Sequence, residues 1–303
     1  MKQHILVVGS SNTDMVIKAG HLPRPGETVL GGTFFMNPGG KGANQAVSIA
    51  RLGGQVTFIC KTGNDIFGNQ SKHLFDEEGI DTSYLFTDSE HPSGVALITV
   101  DSQAENCIVV ASGANAELSP ADLSTARKAM EKADIILMQL EIPIDTVKYV
   151  SNIAKELNKK VILNPAPAQA LDDELLQSLY LITPNETEAE MISGIIITDS
   201  DSLYACAQAI RDKGVQSVII TLGSNGAFLY NENFCGYIPT FEVNAVDTTA
   251  AGDVFNAALT VAVSEGCDLP EAVRFANKAA AISVTRFGAQ SSAPYRNEVD
   301  LFV

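Results

Sequence analysis

The chain has 303 residues, 46% of them hydrophobic, which is enough for a substantial core in one large α/β domain spanning 1–303. A formal net charge of −16 excludes a global field that would attract nucleic acid or an acidic membrane surface. A polyphosphate would also be repelled at long range, so binding one requires local backbone N–H groups, a few cations and a bound metal.

The first apolar run, 4–10, ends in Gly-Ser-Ser-Asn, the pattern of a buried parallel strand feeding a loop. The loop lacks the G-x-G-x-x-G of dinucleotide sites. Asp14, in Asn12-Thr13-Asp14, then stands just past a strand's carboxyl end, where open α/β sheets bind ligands; it also suits a turn. Residues 14–20, 27–36, 94–101 and 106–111 read as short strands poorly placed for βαβ units, the last two with a polar, hairpin-like connection. They predict a small accessory sheet whose apolar face needs a cover.

Between them, N-P-G-G-K-G-A-N-Q-A (37–46) runs into a helix ended by Gly53-Gly54. No Walker A loop can be laid over it. Gly, Lys and Asn are packed densely at this helix start (Gly40, Lys41, Gly42, Ala43, Asn44), which favours a ligand site over a plain glycine turn.

From Ser119 onward helix and strand alternate. Helices are expected at 119–133, 143–158, 172–179, from 184, 202–214, 252–265 and 269–285; strands at 134–141, 161–164, 181–183, 217–222, 227–230 and 236–243. This repetition predicts a three-layer α/β/α fold with a mostly parallel central sheet. Glu141, Asn164 and Asn185 each fall at a strand's C-terminal end, so they share one rim. Residues 223–226, Gly-Ser-Asn-Gly, form a tight turn that also suits an ordinary hairpin.

The stretch 244–255, N-A-V-D-T-T-A-A-G-D-V-F, joins a strand to a long apolar helix. Ala250, Ala251 and Gly252 are small residues at a helix start, so unpaired N–H groups can face outward with the positive dipole end behind them. Asp253 in the first turn suits a general base facing a phosphoryl group in transfer, although an acid there also simply complements the dipole. Cys60, Cys107, Cys206, Cys235 and Cys267 are far apart, without C-x-x-C spacing, and predict reduced, buried thiols in a cytoplasmic protein. The N-terminal apolar stretch is too short for a signal peptide, and no apolar run reaches membrane-spanning length.

These motifs together closely resemble the PfkB-type carbohydrate kinases, whose C-terminal signature reads D-T-x-G/A-A-G-D, and G-G-K-G-A-N-Q-A resembles the branch that phosphorylates ribose. The resemblance runs from Val7 to about Pro294. It implies ATP-dependent phosphorylation of D-ribose at its 5-hydroxyl, with Mg²⁺ bridging the ATP phosphates. By its motifs, Asp253 is the base and the N–H groups of Ala250 to Asp253 form the anion hole. Asn12, Thr13, Asp14, Gly40, Lys41, Gly42, Ala43, Asn44 and Glu141 hold ribose. Asn185, Asn277 and the T-L-G-x-x-G run Thr221, Leu222, Gly223, Ser224, Asn225 and Gly226 line the nucleotide, and Glu188 organises Mg²⁺ through water. Asp247, Thr249, Ser283, Arg286, Gly288 and Ser292 match ligands of an activating K⁺, an all-oxygen set suited to a hard cation; Asp247 also suits a turn cap. The accessory sheet is implied to be a lid that closes over the sugar, hinges at Gly39-Gly40 and pairs with a second subunit's lid in a homodimer. Ala250 departs from the usual glycine, and Val254 stands where Thr is frequent.

Overall fold

A computed structural model describes residues 3–103 and 105–302. Its elements in chain order are β1 (His4–Val8), β2 (Asn12–Lys18), β3 (Thr33–Gly39), α1 (Lys41–Arg51), β4 (Gln55–Gly63), α2 (Ile66–Glu77), β5 (Leu85–Asp88), β6 (Gly94–Val100), β7 (Asn106–Ala111), α3 (Pro120–Thr125), α4 (Arg127–Lys132), β8 (Ile135–Met138) and α5 (Ile144–Glu156). There follow β9 (Lys160–Leu163), α6 (Asp173–Leu176), β10 (Leu181–Ile182), α7 (Glu186–Ser193), α8 (Ser200–Asp212), β11 (Ser217–Thr221), β12 (Ala227–Tyr230), β13 (Cys235–Ile238), α9 (Ala251–Ser264), α10 (Leu269–Ser283) and α11 (Arg296–Leu301).

A nine-stranded sheet runs β13-β12-β11-β10-β9-β8-β1-β4-β5, parallel from β11 to β5 with β12 and β13 antiparallel at one edge. Because side chains alternate along a strand, apolar runs such as Ile5-Leu6-Val7-Val8 must be covered on both faces. Ile5 and Val7 enter one core with residues of α1, α9 and α10; Leu6 and Val8 enter the other with residues of α4, α5 and α8. The strands' carboxyl ends thus form a rim between two fixed helical layers. No helix among the described residues is long and apolar enough to cross a membrane.

The second sheet is small, ordered β3-β2-β6-β7, with β2 and β6 parallel and the outer pairs antiparallel. Register puts Asp14, Ala96 and Val110 in one row and Met15, Met36, Leu97 and Val109 in the next, on the opposite face. That opposite face also carries Ile17 and Phe34 and is exposed, Val109 at 63% and Leu97 and Phe34 at 56%.

Several expectations need correction. The strand expected at 27–36 begins only at Thr33, because Gly31 and Gly32 hold φ of 96° and 108°, and it runs on to Gly39. The helix expected over 119–133 is two, broken at Ala126 (φ −93°, ψ 9°). The strand expected over 236–243 stops at Ile238, where Pro239 has no N–H to continue the ladder. β4, α2 and β5 were not anticipated, nor was α11. Cys60 and Cys206 are buried, but Cys107, Cys235 and Cys267 are exposed. They lie on the open lid strand β7, on the edge strand β13 and in the turn between α9 and α10.

Candidate active site

Asp253 is the third residue of α9 and is 5% exposed. The N-cap, Ala250, sits in the left-handed region (φ 59°, ψ 13°), turning the chain so that the N–H groups of Ala250, Gly252 and Asp253 find no acceptor among the described residues. The Ala251 N–H instead closes a turn onto Thr248 O at 3.2 Å. Three outward donors at a helix N-terminus make an anion-binding concavity.

The Asp253 carboxylate is held from α1. Asn44 Nδ2 donates to Oδ2 at 2.9 Å and Gln45 Nε2 to Oδ1 at 3.0 Å. Burial raises its pKa, while Lys41, Asn44 and Gln45 act against burial and Glu141 adds to it. Burial would lower the Lys41 ammonium, but Asp253, Glu141, Glu188 and Asp14 more than offset that and hold it above its ordinary value.

The helix that delivers these groups starts in a space only glycines permit. Gly40 has φ 87°, and a Cβ there would stand 2.7 Å from Asn12 N; at Gly42 it would stand 2.5 Å from Ser10 N. The first N–H groups of α1 are taken by the end of β1 and by Glu141: Lys41 N donates to Glu141 Oε2 at 2.9 Å, and Ala43 N to Ser10 O at 2.8 Å. Ser10 Oγ also donates to Glu141 Oε2, at 2.5 Å. Glu141 therefore holds the start of α1 with one oxygen and leaves the other without a hydrogen-bond partner among the described residues. Asn12 Oδ1 accepts from Asn115 Nδ2 at 2.8 Å, fixing the loop that leads into the lid. Asp14, on the lid's inner face, has its pKa raised to about 6 by burial and by Glu141 and Asp253, with Lys41 opposing.

Two cavities meet this constellation. One, of about 340 Å³, is lined by Lys41, Asn185, Glu188, Thr221, Gly223 and the 250–253 turn, with Asn164, Thr183 and Asn256 among its other walls. The other, of about 470 Å³, lies under the lid between Asn12, Val110, Asn115, Glu141 and the apolar run Ile142-Pro143-Ile144. Asn185 caps α7 in a reciprocal box with Glu188, which is buried with its pKa raised by that burial, Asn185 N–H opposing. The run 221–226 folds as a tight turn, with Leu222 buried and Ser224 and Asn225 exposed. Asn277 lies apart from both linings; its Nδ2 holds the Ile238 and Pro239 carbonyls at 3.1 and 3.0 Å. Thr13 sits on the lid's outer-facing row, and Ala43 is fully buried.

Asp247 and 286–292 come together. Asp247 Oδ2 accepts from Gly288 N at 2.9 Å, and Val284 O accepts from Asp247 N at 3.1 Å. Burial acts to raise the Asp247 pKa, but bonds from Thr249 and Gly288 and the charge of Lys18 leave it lowered. The carbonyls of Thr249, Arg286 and Gly288 accept no hydrogen bond among the described residues, and the Ser292 hydroxyl donates to Ala289 O, leaving its lone pairs.

Residues absent from the sequence-based set are Ser10, Gln45, Asn115, Gln139, Thr183 and Asn256. Gln45 stands inside the G-G-K-G-A-N-Q-A run and Asn256 one turn after Asp253 on α9, its Nδ2 donating to Gly252 O at 2.8 Å; Ser10, Asn115, Gln139 and Thr183 meet the site through tertiary contacts.

The pfkB family carbohydrate kinase model matches residues 2–296. The Ribokinase of Haemophilus influenzae is 46% identical over 98% of this chain and 97% of its own length. Among solved structures, a ribokinase from Thermotoga maritima superposes with a TM-score of 0.91 at 44% identity, covering 99% of both chains. An Arabidopsis thaliana ribokinase complexed with ribose and ATP does so with a TM-score of 0.91 at 32% identity, covering 99% of this chain and 98% of its own. A match of this extent, over a chain whose signature aspartate stands beside free helix N–H groups, leaves one assignment: the chain belongs to the pfkB family of carbohydrate kinases.

Proposed function

We propose that the protein is a ribokinase, which transfers the γ-phosphoryl group of ATP to the 5-hydroxyl of D-ribose and yields D-ribose 5-phosphate and ADP. The observation that carries this reading is the position of Asp253. Its buried carboxylate stands beside three free N–H groups at the mouth of one cavity, and its partner Asn44 belongs to the helix start beneath the lid.

Asp253 takes the proton of the 5-hydroxyl as that oxygen attacks the γ-phosphorus and the bond to ADP breaks. The N–H groups of Ala250, Gly252 and Asp253 receive the charge spreading over the transferred oxygens, and Lys41, in the lining of the same cavity, adds a cation. Asn12, Asp14, Asn44, Lys41 and the free oxygen of Glu141 hold the sugar hydroxyls. Asn185 and the 221–226 turn receive the nucleotide.

Glu188 fits a magnesium role: one carboxylate oxygen caps α7 and the other is unpartnered, and Mg²⁺ commonly takes one or two protein carboxylates plus water and substrate phosphates. Bound there, Mg²⁺ neutralises phosphate charge. The Asp247, Thr249, Ser283, Arg286, Gly288 and Ser292 oxygens suit K⁺, since several lack hydrogen bonds and one is a carboxylate. Occupancy would steady the 247–251 loop that carries the N–H groups. We place the enzyme in the cytoplasm, as a homodimer joined through the outer face of the lid, where Ile17, Phe34, Leu97 and Val109 are otherwise open to water.

ATP-dependent phosphate transfer across D-ribose, 2-deoxyribose, other pentoses, hexoses and nucleosides tests the reading. Ribose is expected to give the highest kcat/KM. A hexose or nucleoside turned over better than ribose would replace it. At constant ionic strength and saturating Mg-ATP, K⁺ should raise turnover above Na⁺ or a bulky organic cation; equal rates would remove the cation site.

A further inference from the structure

Behind Asp253 runs a pair of buried glutamines, Gln45 and Gln139, neither of which lines either cavity. Gln45 is 0% exposed, and its Nε2 donates both to Asp253 Oδ1 at 3.0 Å and to Asn164 Oδ1 at 3.1 Å. Its Oε1 accepts from Gln139 Nε2 at 2.5 Å, and Gln139 is likewise 0% exposed. The far end is unpaired: Gln139 Oε1 is buried without a partner, pressed against Gly9.

That orphan oxygen has a physical reason. An ionised carboxylate only accepts, so Gln45 must turn its NH₂ toward Asp253 and its oxygen away. Gln139 must then turn its own NH₂ toward Gln45, which strands its oxygen beside Gly9. Leaving a buried acceptor unmade is costly, so the arrangement persists because the bond to the charged end gains more. The whole pair is polarised toward one oxygen of Asp253.

We infer that Gln45, backed by Gln139, is a positioning residue for the general base, holding the Asp253 carboxylate in its ionised form and fixing its plane for proton abstraction. The inference rests on the reading of Asp253 as that base. Asn44 does similar work on the other oxygen but also faces the sugar, so only Gln45 separates positioning from binding. The other charged groups around Asp253 are Lys41 on α1, Glu141 beyond β8, Asp14 on β2 and Glu188 on α7. None of them hydrogen-bonds the carboxylate, whose side-chain donors are Asn44 and Gln45.

The test compares Gln45→Met, Gln139→Met and Gln45→Glu with the parent, each confirmed folded by near-UV circular dichroism. Gln45→Met is expected to lower kcat roughly ten- to thirtyfold, the worth of a hydrogen bond to a charged group, with KM for ribose and ATP within about twofold. The acidic limb of kcat against pH should move upward, because a donor that favours the charged form has gone. Gln139→Met should move both readouts the same way by a smaller amount. Gln45→Glu, which keeps the length, should push the limb further by setting a second carboxylate against the first. In an Asp253→Asn background, Gln45→Met should cost nothing more. Unchanged kcat and limb in Gln45→Met overturns the proposal, as does an undiminished loss in the Asp253→Asn background. Should Gln45→Met not fold, Gln139→Met and Gln45→Glu decide by the same limb. Full activity in Asp253→Asn alone would instead overturn the base assignment.

Discussion

The two sheets of this protein are built from similar strands under opposite constraints. In the central sheet, β1 and β8 are covered on both faces, and Leu6, Val7, Ile136 and Leu137 are all 0% exposed. In the lid, every residue of β7 is exposed, and the sheet touches the rest of the molecule along one face and at its hinge. The central sheet therefore fixes positions to within the tolerance of a packed core, while the small sheet, on the function proposed above, carries groups that arrive and leave. On the function proposed above, Asp14 on the small sheet is the sugar-side acid that comes and goes with the lid, and Asp253 on α9 is the base that stays in place.

That contrast can be broken most severely at Asp253. Asp253→Asn is expected to lower turnover by about two to four decades while ribose and ATP still bind, measured by steady-state kinetics and calorimetric titration. A variant keeping more than about a tenth of parental turnover would remove the residue from the mechanism.

Next in size is the stability gap between the sheets. Leu137→Ala should cost about 2–5 kcal/mol in chemical denaturation, because it opens a cavity between Val7 and Ile162. Val109→Ser in the lid should stay within about 0.5 kcal/mol for the monomer. Comparable losses would mean that the lid is part of the core.

The lid's open face sharpens the comparison in another way. Val109→Lys should leave the fold intact and convert dimer to monomer in sedimentation at micromolar concentration, since it sets a charge in the proposed contact. A parent that sediments as a monomer with full activity would show that the face is covered otherwise.

Asp14 gives a pH signature that the core cannot. Its pKa lies at about 6 against an ordinary 3.8. Stability from this group is fully present below the ordinary value and is lost as pH rises through about 6. Ribose affinity should run the opposite way, strengthening over the same rise as the ionised carboxylate becomes available to sugar hydroxyls. Asp14→Asn should flatten the pH dependence of KM and stabilise the protein at pH 8. The smallest effect is expected at Ala250, whose left-handed backbone favours glycine: Ala250→Gly should stabilise by up to about 1 kcal/mol with turnover retained.

Much of this contrast was legible in the sequence. Unbroken apolar runs such as 135–138 announce strands buried on both faces, and the glycines of 39–42 announce close approach. The break at Ala126 carries no glycine or proline and could not be read. β4, by contrast, carries Val-Thr-Phe-Ile-Cys between glycines and was readable as a strand. The site divides similarly. Asp253 and its turn are contiguous in sequence, whereas Gln45 joins Asp253 across 208 residues and Asn164 across 119, pairings no local spacing encodes.

The order of strands also bears on how the protein is made. Beginning at β1, the sheet grows outward one way through β4 and β5, then the other way from β8 to β13, each later strand joining the open edge left by the one before. A chain emerging from the ribosome at roughly 5–20 residues per second can thus add strands in the order it is synthesised. Helix α9 reverses this, leaving the far edge and returning to α1 and β1 in the middle. It acts as the clasp on a nearly finished domain. Because the clasp carries Asp253, a nascent or truncated chain that has assembled most of its sheet still lacks the base proposed here.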